Sequence, residues 1–301
     1  MTETSATGNE LDWQSKLVLL LVLPFAGAHV VLECQWWLSE SFSLVIWTLG
    51  LSALLALITW KLGTATPGAA ATGAALTASL MLSTVSEPYE PWHTAMIPTL
   101  AVTALAFAAT RAGRRKKERL GTAEARRGRK ASQVAANLGM AALVLSGPAQ
   151  AWIVNWQWLP VSAHLRGALF SLGLAALAEA AADTVSSEIG QVLGRRPRMI
   201  TTLRAVEPGR NGAVSAAGTI AGFFATGVTA GAGTWALRGG WELFWISCAG
   251  AVFGLFFDSL LGATLEEQGW LNNDAVNFLS TASAAGFALV LVAFVPHLGV
   301  G

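Results

Sequence analysis

The sequence predicts an all-α, polytopic helix bundle in a membrane. Of its 301 residues, 53% are hydrophobic and only 12% are charged, and the mean hydropathy is +0.53. Soluble domains carry about 25% charged residues, so this composition disfavours a soluble enzyme, a disordered chain and a nucleic-acid-binding module. Because strand-like alternation of polar and apolar residues is absent, helices rather than a barrel must satisfy the backbone in lipid.

Nine segments of the sequence are long and apolar enough to cross a bilayer as helices. Such a helix needs about 20 mostly apolar residues. Tryptophans cluster between several of the segments, as expected of side chains that anchor helices at the membrane interface. The predicted spans are 15–33, 41–60, 68–85, 93–110, 133–154, 163–182, 214–233, 240–262 and 277–297.

The basic residues predict the orientation of this bundle. Ten of them lie between Arg111 and Lys130, and five more lie between Arg195 and Arg210. With nine spans, both segments, Lys16 and Lys61 fall on one side, which then holds 17 of the 19 basic residues. The positive-inside rule makes that side cytoplasmic. We therefore expect an integral membrane protein with a cytoplasmic N-terminus, placed in the inner membrane if the source is bacterial.

Acidic residues lie at the predicted inner end of the sixth span, where charge is expensive. Glu179 and Asp183 share one face of a helix, whereas Glu188 lies roughly 140° round from Asp183. Two carboxylates at a cytoplasmic helix end suit Mg²⁺, which prefers one or two carboxylates, water and phosphate oxygens. Asp183 and Glu188 are candidate metal ligands and Ser187 is a candidate substrate ligand. A solvated helix end with incidental acids is the alternative.

A turn sequence leads into the seventh span. Pro208-Gly209 followed by Asn211-Gly212 predicts a tight turn, and Asn211 or Ser215 can cap the Gly- and Ala-rich helix that follows. A helix N-terminus has free N–H groups and partial positive charge, which suit phosphate. An ordinary loop with a helix cap and positive-inside arginines is the alternative. The candidate phosphate ligands are Thr201, Thr202, Arg204, Asn211, Gly212 and Ser215.

Asp258 lies about one turn inside the cytoplasmic end of the eighth span, where an unpaired carboxylate is expensive. We therefore expect it to meet a metal or a polar partner, with Ser259 and Thr264 close behind it in the chain. Asn273 and Asn277 are spaced i, i+4 at the start of the ninth span, so they share a helix face. A hydrogen-bonded cap between helices is the alternative.

A fourth polar cluster leads into the fifth span. Gln133 and Asn137 are again four residues apart, and Arg129 precedes them. Arg129, Gln133 and Asn137 are candidate ligands of the substrate or nucleotide, and a ring of polar contacts between helices is the alternative. The basic run before them also suits contact with anionic lipid.

The predicted topology brings all four clusters to one membrane face, although they come from separate parts of the chain. Carboxylates, a helix N-terminus, arginines and amides at lipid level describe a site for Mg²⁺, a polyphosphate and a lipid substrate. The sequence contains neither GxxxxGK[ST] nor GxGxxG. The phosphates must therefore be held by a loop unlike those of P-loop NTPases and protein kinases.

These clusters resemble an integral-membrane family catalogued as domain of unknown function ninety-two, which includes vertebrate transmembrane protein nineteen and a plant phytyl-phosphate kinase. The resemblance covers roughly residues 127–295, and residues 1–126 show nothing specific to the family. We therefore divide the chain into 1–126, N-terminal spans and a basic loop, and 127–301, the family-like catalytic region. The matching motifs are RGRKASQVAANLG (127–139), ADTVSSEIG (182–190), ITTLRAVEPGRNGAVS (200–215), DSLLGAT (258–264) and NNDAVN (272–277).

The resemblance implies a kinase that converts a prenyl monophosphate into the diphosphate, with CTP as the phosphate donor. Asp183, Glu188 and Asp258 would hold Mg²⁺ on the nucleotide. Phosphates would contact Thr201, Thr202, Asn211 and Ser215, with Asn273 and Asn277 near the acceptor or the nucleotide. The implied partners are a nucleoside triphosphate, a prenyl monophosphate lipid and membrane lipids.

Two other functions remain open at this point. Acids inside a membrane are also typical of secondary transporters and of lipid-phosphate flippases. A cytidylyltransferase that forms a CDP-lipid would use the same metal and nucleotide but would release pyrophosphate. The oligomeric state also stays open, with a homo-oligomer among the alternatives.

Overall fold

The computed structural model describes residues 12–121, 128–155 and 165–294, and these are almost entirely helical. The predicted domain boundary at residues 126 and 127 lies outside them. The helices are α1 (Asp12–Glu40), α2 (Phe42–Lys61), α3 (Pro67–Ser83), α4 (Met96–Arg111), α5 (Arg114–Leu120), α6 (Ala131–Leu145), α7 (Gly147–Asn155), α8 (Leu165–Leu193), α9 (Ala216–Ala236), α10 (Trp241–Leu261) and α11 (Asn273–Phe294). A 3₁₀ turn (Pro91–His93), a π-helical turn (Gly262–Glu266) and the strands β1 (Arg198–Met199) and β2 (Ala213–Val214) complete the described elements.

The all-α membrane bundle is confirmed, but the count of nine spans is not. Within the part of the chain that the structure describes, five helices are long and apolar enough to cross a membrane: α1, α2, α8, α10 and α11. Helix α6 with α7 makes a sixth if that pair, bent by 60°, is one span. The other three predicted spans do form helices. However, α3 and α4 have only 17 and 16 residues, and the 21-residue α9 is rich in Gly and Thr.

Helix α8 lies at the centre of the bundle and packs against α4, α6, α9, α10 and α11. Its neighbours approach closely because small residues line the contacts, as membrane helices often require. A Cβ added at Gly218 of α9 would lie 2.7 Å from the carbonyl oxygen of Ser186. A Cβ added at Gly250 of α10 would lie 2.9 Å from the Cβ of Ala175. Side chains of α8 are therefore fixed by tight packing on several sides.

The outer surface of the bundle is apolar. Leu20 and Leu32 of α1 and Ile220 and Phe224 of α9 are among the many large hydrophobic side chains exposed there. Soluble proteins rarely expose apolar surface on this scale. The exposed faces therefore suit contact with lipid tails.

One end of the bundle, the polar end, gathers the C-terminal ends of α8 and α10 and the N-terminal ends of α6, α9 and α11. Side-chain hydrogen bonds also hold the N-terminal end of α1 and the helix α5 at the polar end. Gln14 donates to the carbonyl of Trp270 (2.9 Å), and Lys116 of the basic helix α5 donates to the carbonyl of Val192 (2.6 Å). The polar end is the one that the basic residues predict to be cytoplasmic.

Candidate functional site

A cavity of about 240 Å³, the acidic cavity, opens at the polar end between α8, α9, α10, α11 and the loop before α9. Three of the four predicted polar clusters contribute to its lining. The predicted site residues that line it are Asp183, Ser187, Asn211, Gly212, Ser215, Asp258, Ser259, Asn273 and Asn277. The structure thus brings together residues that lie up to 94 positions apart in the chain.

Three carboxylates line the acidic cavity, each from a different element. Asp183 comes from α8, Asp258 from α10 and Glu266 from the π-helical turn that follows α10. Asp258 is within electrostatic range of both other cavity carboxylates and of Glu179, which lies one turn deeper on α8. A π-helical turn is rare and is often found at functional sites. Here it is the element that carries Glu266 to the cavity.

The interior side of this acidic cluster is buried and has few partners. Within the described ranges, Oδ2 of Asp258 and Oε1 of Glu179 are buried and have no hydrogen-bond partner. The hydroxyl of Ser280 on α11 interacts with both side chains. These carboxylates repel one another, so a cation bound among them would stabilise the cluster.

The donor set fits Mg²⁺, because the polar groups here are carboxylate, amide and hydroxyl oxygens, which hard cations prefer. Among the described residues, no three His, Cys, Asp or Glu side chains converge closely enough to hold a metal ion by themselves. Mg²⁺ is typically bound by one or two carboxylates, with water and substrate phosphates as the remaining ligands. The acidic cavity offers that incomplete ligand set.

The opposite wall of the cavity is the loop that leads into α9. Ser215 caps α9 as predicted, because its Oγ accepts a hydrogen bond from the backbone N–H of Gly218 (3.1 Å). Gly212 has a φ of +71°, and a Cβ there would lie 2.4 Å from the backbone nitrogen of Ala263. The predicted tight turn is therefore pressed against the start of the π-helical turn, and only glycine fits at this position.

Backbone pairing holds the same loop in place. Strands β1 and β2 are antiparallel, with Arg198 opposite Val214 and Met199 opposite Ala213. Arg210 lines the cavity and donates to Oε1 of Glu267 (2.7 Å), which ties the loop to the end of the π-helical turn. The N-terminal end of α9 thus stands beside the carboxylates with a cationic side chain at the rim.

Amide side chains form the side of the cavity nearest α6. Nδ2 of Asn277 donates to Oδ1 of Asn137, with 3.2 Å between the two atoms. Asn277 lines the acidic cavity, whereas the buried Asn137 lies behind it, outside the lining. The interhelical contact that was the alternative explanation for these residues is therefore present, and it coexists with exposure of Asn277 to the cavity.

Glu188 is not brought to the acidic cavity. Its carboxylate forms an ion pair with Lys117 and accepts a hydrogen bond from Oγ1 of Thr110 (3.2 Å). Because Glu188 is five positions beyond Asp183, it points to a different side of α8, where it contacts α4 and α5. The sequence spacing already placed Asp183 and Glu188 on different sides of a helix. The structure agrees, because α8 stays helical through both residues.

Five more of the predicted residues lie outside the lining. Thr201, Thr202 and Arg204 are exposed in the turn between the strands, where the Thr202 hydroxyl accepts a hydrogen bond from the Arg204 N–H (3.4 Å). Thr264 donates to the carbonyl of Leu260 (2.6 Å), and Gln133 caps α6 by accepting from the N–H of Lys130 (2.7 Å).

Arg129 lies beside the acidic cavity, at the start of α6. Its Nη2 is 3.4 Å from Oγ1 of Thr184, and its charge acts on Asp183. Its backbone is held by the loop before α3, because its N–H donates to the carbonyl of Thr64 (2.9 Å). Arg129 therefore adjoins the carboxylates from outside the cavity lining.

Sequence comparisons agree with this architecture. The model of the integral membrane protein family DUF92 matches residues 50–285. An uncharacterized membrane protein of Methanocaldococcus jannaschii is 38% identical over 108 residues, which cover 36% of this chain and 45% of that protein. An uncharacterized membrane protein of Synechocystis is 33% identical over 190 residues, covering 60% of this chain and 67% of that protein.

A plant relative is also similar. Protein VTE6 of Arabidopsis thaliana, a chloroplastic protein, is 29% identical over 192 residues, which cover 62% of this chain and 55% of that protein. The matched segments thus span 45% to 67% of the length of these three relatives. No solved structure matches the chain.

Proposed function

This chain belongs to the integral membrane protein DUF92 family, and we propose that it acts as a membrane prenyl-phosphate kinase. An oxygen of a prenyl monophosphate attacks the terminal phosphorus of a nucleoside triphosphate, and the bond from that phosphorus to the bridging oxygen breaks. The products are a prenyl diphosphate and a nucleoside diphosphate. The family resemblance favours CTP as donor and a phytyl- or geranylgeranyl-type monophosphate as acceptor.

The observation that carries this proposal is the acidic cavity itself, with carboxylates on one wall and a capped helix N-terminus on the other. One or two of the cavity carboxylates of Asp183, Asp258 and Glu266 would hold Mg²⁺, with water and phosphate oxygens as the other ligands. The ion would neutralise charge on the triphosphate during transfer. We leave Glu188 out of the proposed set, because its carboxylate already contacts Lys117 and Thr110.

The remaining walls suit the phosphates. The first N–H groups of α9 and the hydroxyl of Ser215 favour an anion, as helix N-termini generally do. Asn211, Gly212 and Arg210 bring further donors to the same wall. A polyphosphate is repelled by three carboxylates unless cations accompany it, so metal and nucleotide are expected to bind together.

The kinase is tested with the purified protein in lipid nanodiscs, supplied with Mg²⁺, CTP and geranylgeranyl monophosphate. We expect prenyl diphosphate and CDP in equal amounts. Release of pyrophosphate with a CDP-lipid would instead identify a cytidylyltransferase. Uptake of the prenyl phosphate by proteoliposomes without nucleotide would identify a transporter or flippase. Absence of product with every nucleotide and prenyl phosphate tried would refute the kinase.

Variants connect that activity to the acidic cavity. Asp258→Asn and Asp183→Asn should each lower turnover by about 100-fold or more, since each removes a candidate carboxylate ligand of the Mg²⁺ that would neutralise the transferred phosphate. Glu242→Gln is the matched control, because Glu242 lies in the first turn of the same helix α10, at the end opposite Asp258. Turnover that survives either aspartate substitution would remove that residue from the site.

A further inference from the structure

A second, larger cavity, the apolar cavity, lies between α2, α3, α4 and α6 and has no role in the mechanism above. Its volume is about 400 Å³, within the roughly 300–1,000 Å³ typical of ligand pockets. Ala, Leu, Val and Thr side chains make up most of its lining. Three of its lining residues, Ile58, Leu62 and Leu100, are 36% to 50% exposed on the outer surface of the bundle. An apolar chain can therefore enter this cavity from the lipid.

The charge of the apolar cavity is concentrated at the polar end of the bundle and is entirely positive. Arg111, Arg114 and Arg129 line that end, and no Asp or Glu is among the described lining residues. The guanidinium of Arg111 lies 4.1 Å from the ring centroid of Phe107 and donates to the carbonyl of Leu62 (3.2 Å). Arginine guanidinium groups are well suited to phosphate. This end is complementary to an anionic headgroup, whereas the acidic cavity repels one.

The arginine end is built with tight backbone contacts. Gly128, with a φ of +75°, leaves no room for a side chain, because a Cβ there would lie 2.7 Å from the backbone nitrogen of Ala65. The N–H of Thr66 donates to the carbonyl of Arg129 (3.1 Å). These contacts clamp Arg129 against the loop between α2 and α3, so its position in the cavity wall is fixed.

The two cavities share a thin wall. Arg129 lines the apolar cavity and acts electrostatically on Asp183, which lines the acidic cavity. Asn137 also lines the apolar cavity, and it accepts a hydrogen bond from Asn277 of the acidic cavity (3.2 Å). An anionic group held by Arg129 would therefore stand next to the carboxylates.

We propose that the apolar cavity binds the acceptor lipid, with the prenyl tail between α2, α3, α4 and α6 and the monophosphate on Arg111 and Arg129. The identity of the ligand as a prenyl monophosphate rests on the proposed function. The cavity, its opening to lipid and its arginine end are properties of this chain. Arg111 and Arg129 are then substrate-binding residues, and the shared wall is where the acceptor phosphate meets the donor.

The test measures binding without nucleotide, so that it does not depend on turnover. A geranylgeranyl monophosphate that carries a photoreactive diazirine on its tail is cross-linked to the protein in nanodiscs, and the labelled peptides are identified. We expect labels on α3 and α4 at cavity-lining positions. Labels confined to residues that do not line the apolar cavity would overturn the proposal.

A cavity-filling variant gives the quantitative test. A Cβ at Gly73 of α3 meets only Val134, at an ordinary 3.9 Å, so Gly73→Leu extends into the cavity without a backbone clash. We expect Kd for geranylgeranyl monophosphate to rise at least about tenfold, the effect of losing roughly 1.4 kcal/mol of binding. Gly50→Leu is the matched control, because a Cβ there meets nothing within 4 Å. An unchanged Kd in a folded Gly73→Leu variant would overturn the proposal.

Recognition of the phosphate headgroup by the arginines is tested by comparing the binding of geranylgeranyl monophosphate with that of geranylgeraniol, the uncharged alcohol. The wild-type protein should bind the monophosphate at least about tenfold more tightly, and Arg111→Gln should reduce that preference. Equal competition by phosphatidylglycerol would show that a bilayer lipid occupies the cavity and would overturn the proposal. Specific labelling of the cavity without any kinase activity would refute the proposed function alone. Kinase activity that Gly73→Leu leaves unchanged would refute this inference alone.

Discussion

Substitutions in the buried ion pair between Lys117 and Glu188 can distinguish a structural role of Glu188 from the metal-binding role that its motif implies. Lys117 is only 1% exposed, and its Nζ also donates to the carbonyls of Ala109 (2.8 Å) and Thr110 (2.9 Å). These carbonyls belong to the last turn of α4. The pair thus joins α4, α5 and α8 at the polar end.

The size of the effect follows from this geometry. Removing one partner of a buried ion pair typically costs about 3–5 kcal/mol, because the remaining charge is left buried. We expect Lys117→Met and Glu188→Gln each to lower the free energy of unfolding by about 3 kcal/mol. If the two effects were independent, the double variant would lose about 6 kcal/mol. Because it has no buried charge left at this position, we expect it to lose no more than either single variant, a coupling of about 3 kcal/mol.

The assay is reversible unfolding in mixed detergent and SDS, followed by turnover at a temperature where all variants are folded. If Glu188 has only a structural role, the folded Lys117→Met/Glu188→Gln variant should retain most of the kinase activity. If this double variant is stable and inactive, Glu188 belongs to the catalytic site and the assignment made here is wrong. If its losses simply add, the ion pair does not hold these helices together.

Substitutions at three further positions test the packing in and around the acidic cavity. Gly212→Ala places a Cβ at a positive φ and 2.4 Å from the backbone nitrogen of Ala263. We therefore expect turnover to fall at least about tenfold and the thermal midpoint to fall as well; wild-type turnover would contradict this. Ser215→Ala removes the cap of α9 and should lower the unfolding free energy by about 1 kcal/mol, whereas Ser215→Gly, a tolerated cap residue that adds no charge to the cavity, should cost only about a few tenths of a kcal/mol. Gly254→Leu would bring a Cβ within 2.6 Å of Cγ of Glu179, and we expect a loss of roughly 1–3 kcal/mol from overpacking in the same unfolding assay, which an unchanged midpoint would rule out.

Sequence reasoning succeeded where local physics decides the outcome. Apolar segments and their capping and turn residues predicted the helices, including the cap at Ser215 and the turn before α9. The convergence of Asp183, Asn211 and Asp258 followed from assigning each cluster to the same membrane face. That step combined the positive-inside rule with a count of nine spans. The structure brings these residues to one cavity although it does not confirm that count.

The positions of Glu266 and Glu188 could not be predicted from the sequence, because they depend on how a helix ends and on which side of a helix faces its neighbours. Glu266 follows α10 as one of two adjacent glutamates, and only the π-helical turn directs it into the cavity while Glu267 pairs with Arg210. No spacing rule for regular helices anticipates such a turn. Glu188 lies in the right segment, but the sequence does not show that Lys117, 71 positions earlier, occupies it.

The chemistry assigned to the two cavities depends on managing repulsion between two anions more than on proton transfer. Within the described ranges no histidine lines either cavity; His29 meets Ser79 and His93 meets the carbonyl of Ala236. A phosphomonoester loses its second proton near pH ~6, so the acceptor is already nucleophilic at neutral pH and a general base is unnecessary. The remaining requirement of the proposed reaction is to hold the acceptor phosphate next to a triphosphate. In the proposed reaction, the arginines on one side of the shared wall would neutralise the acceptor phosphate, and a cation held by the carboxylates on the other side would neutralise the triphosphate. Arg129 acts electrostatically on Asp183, so the two sites adjoin.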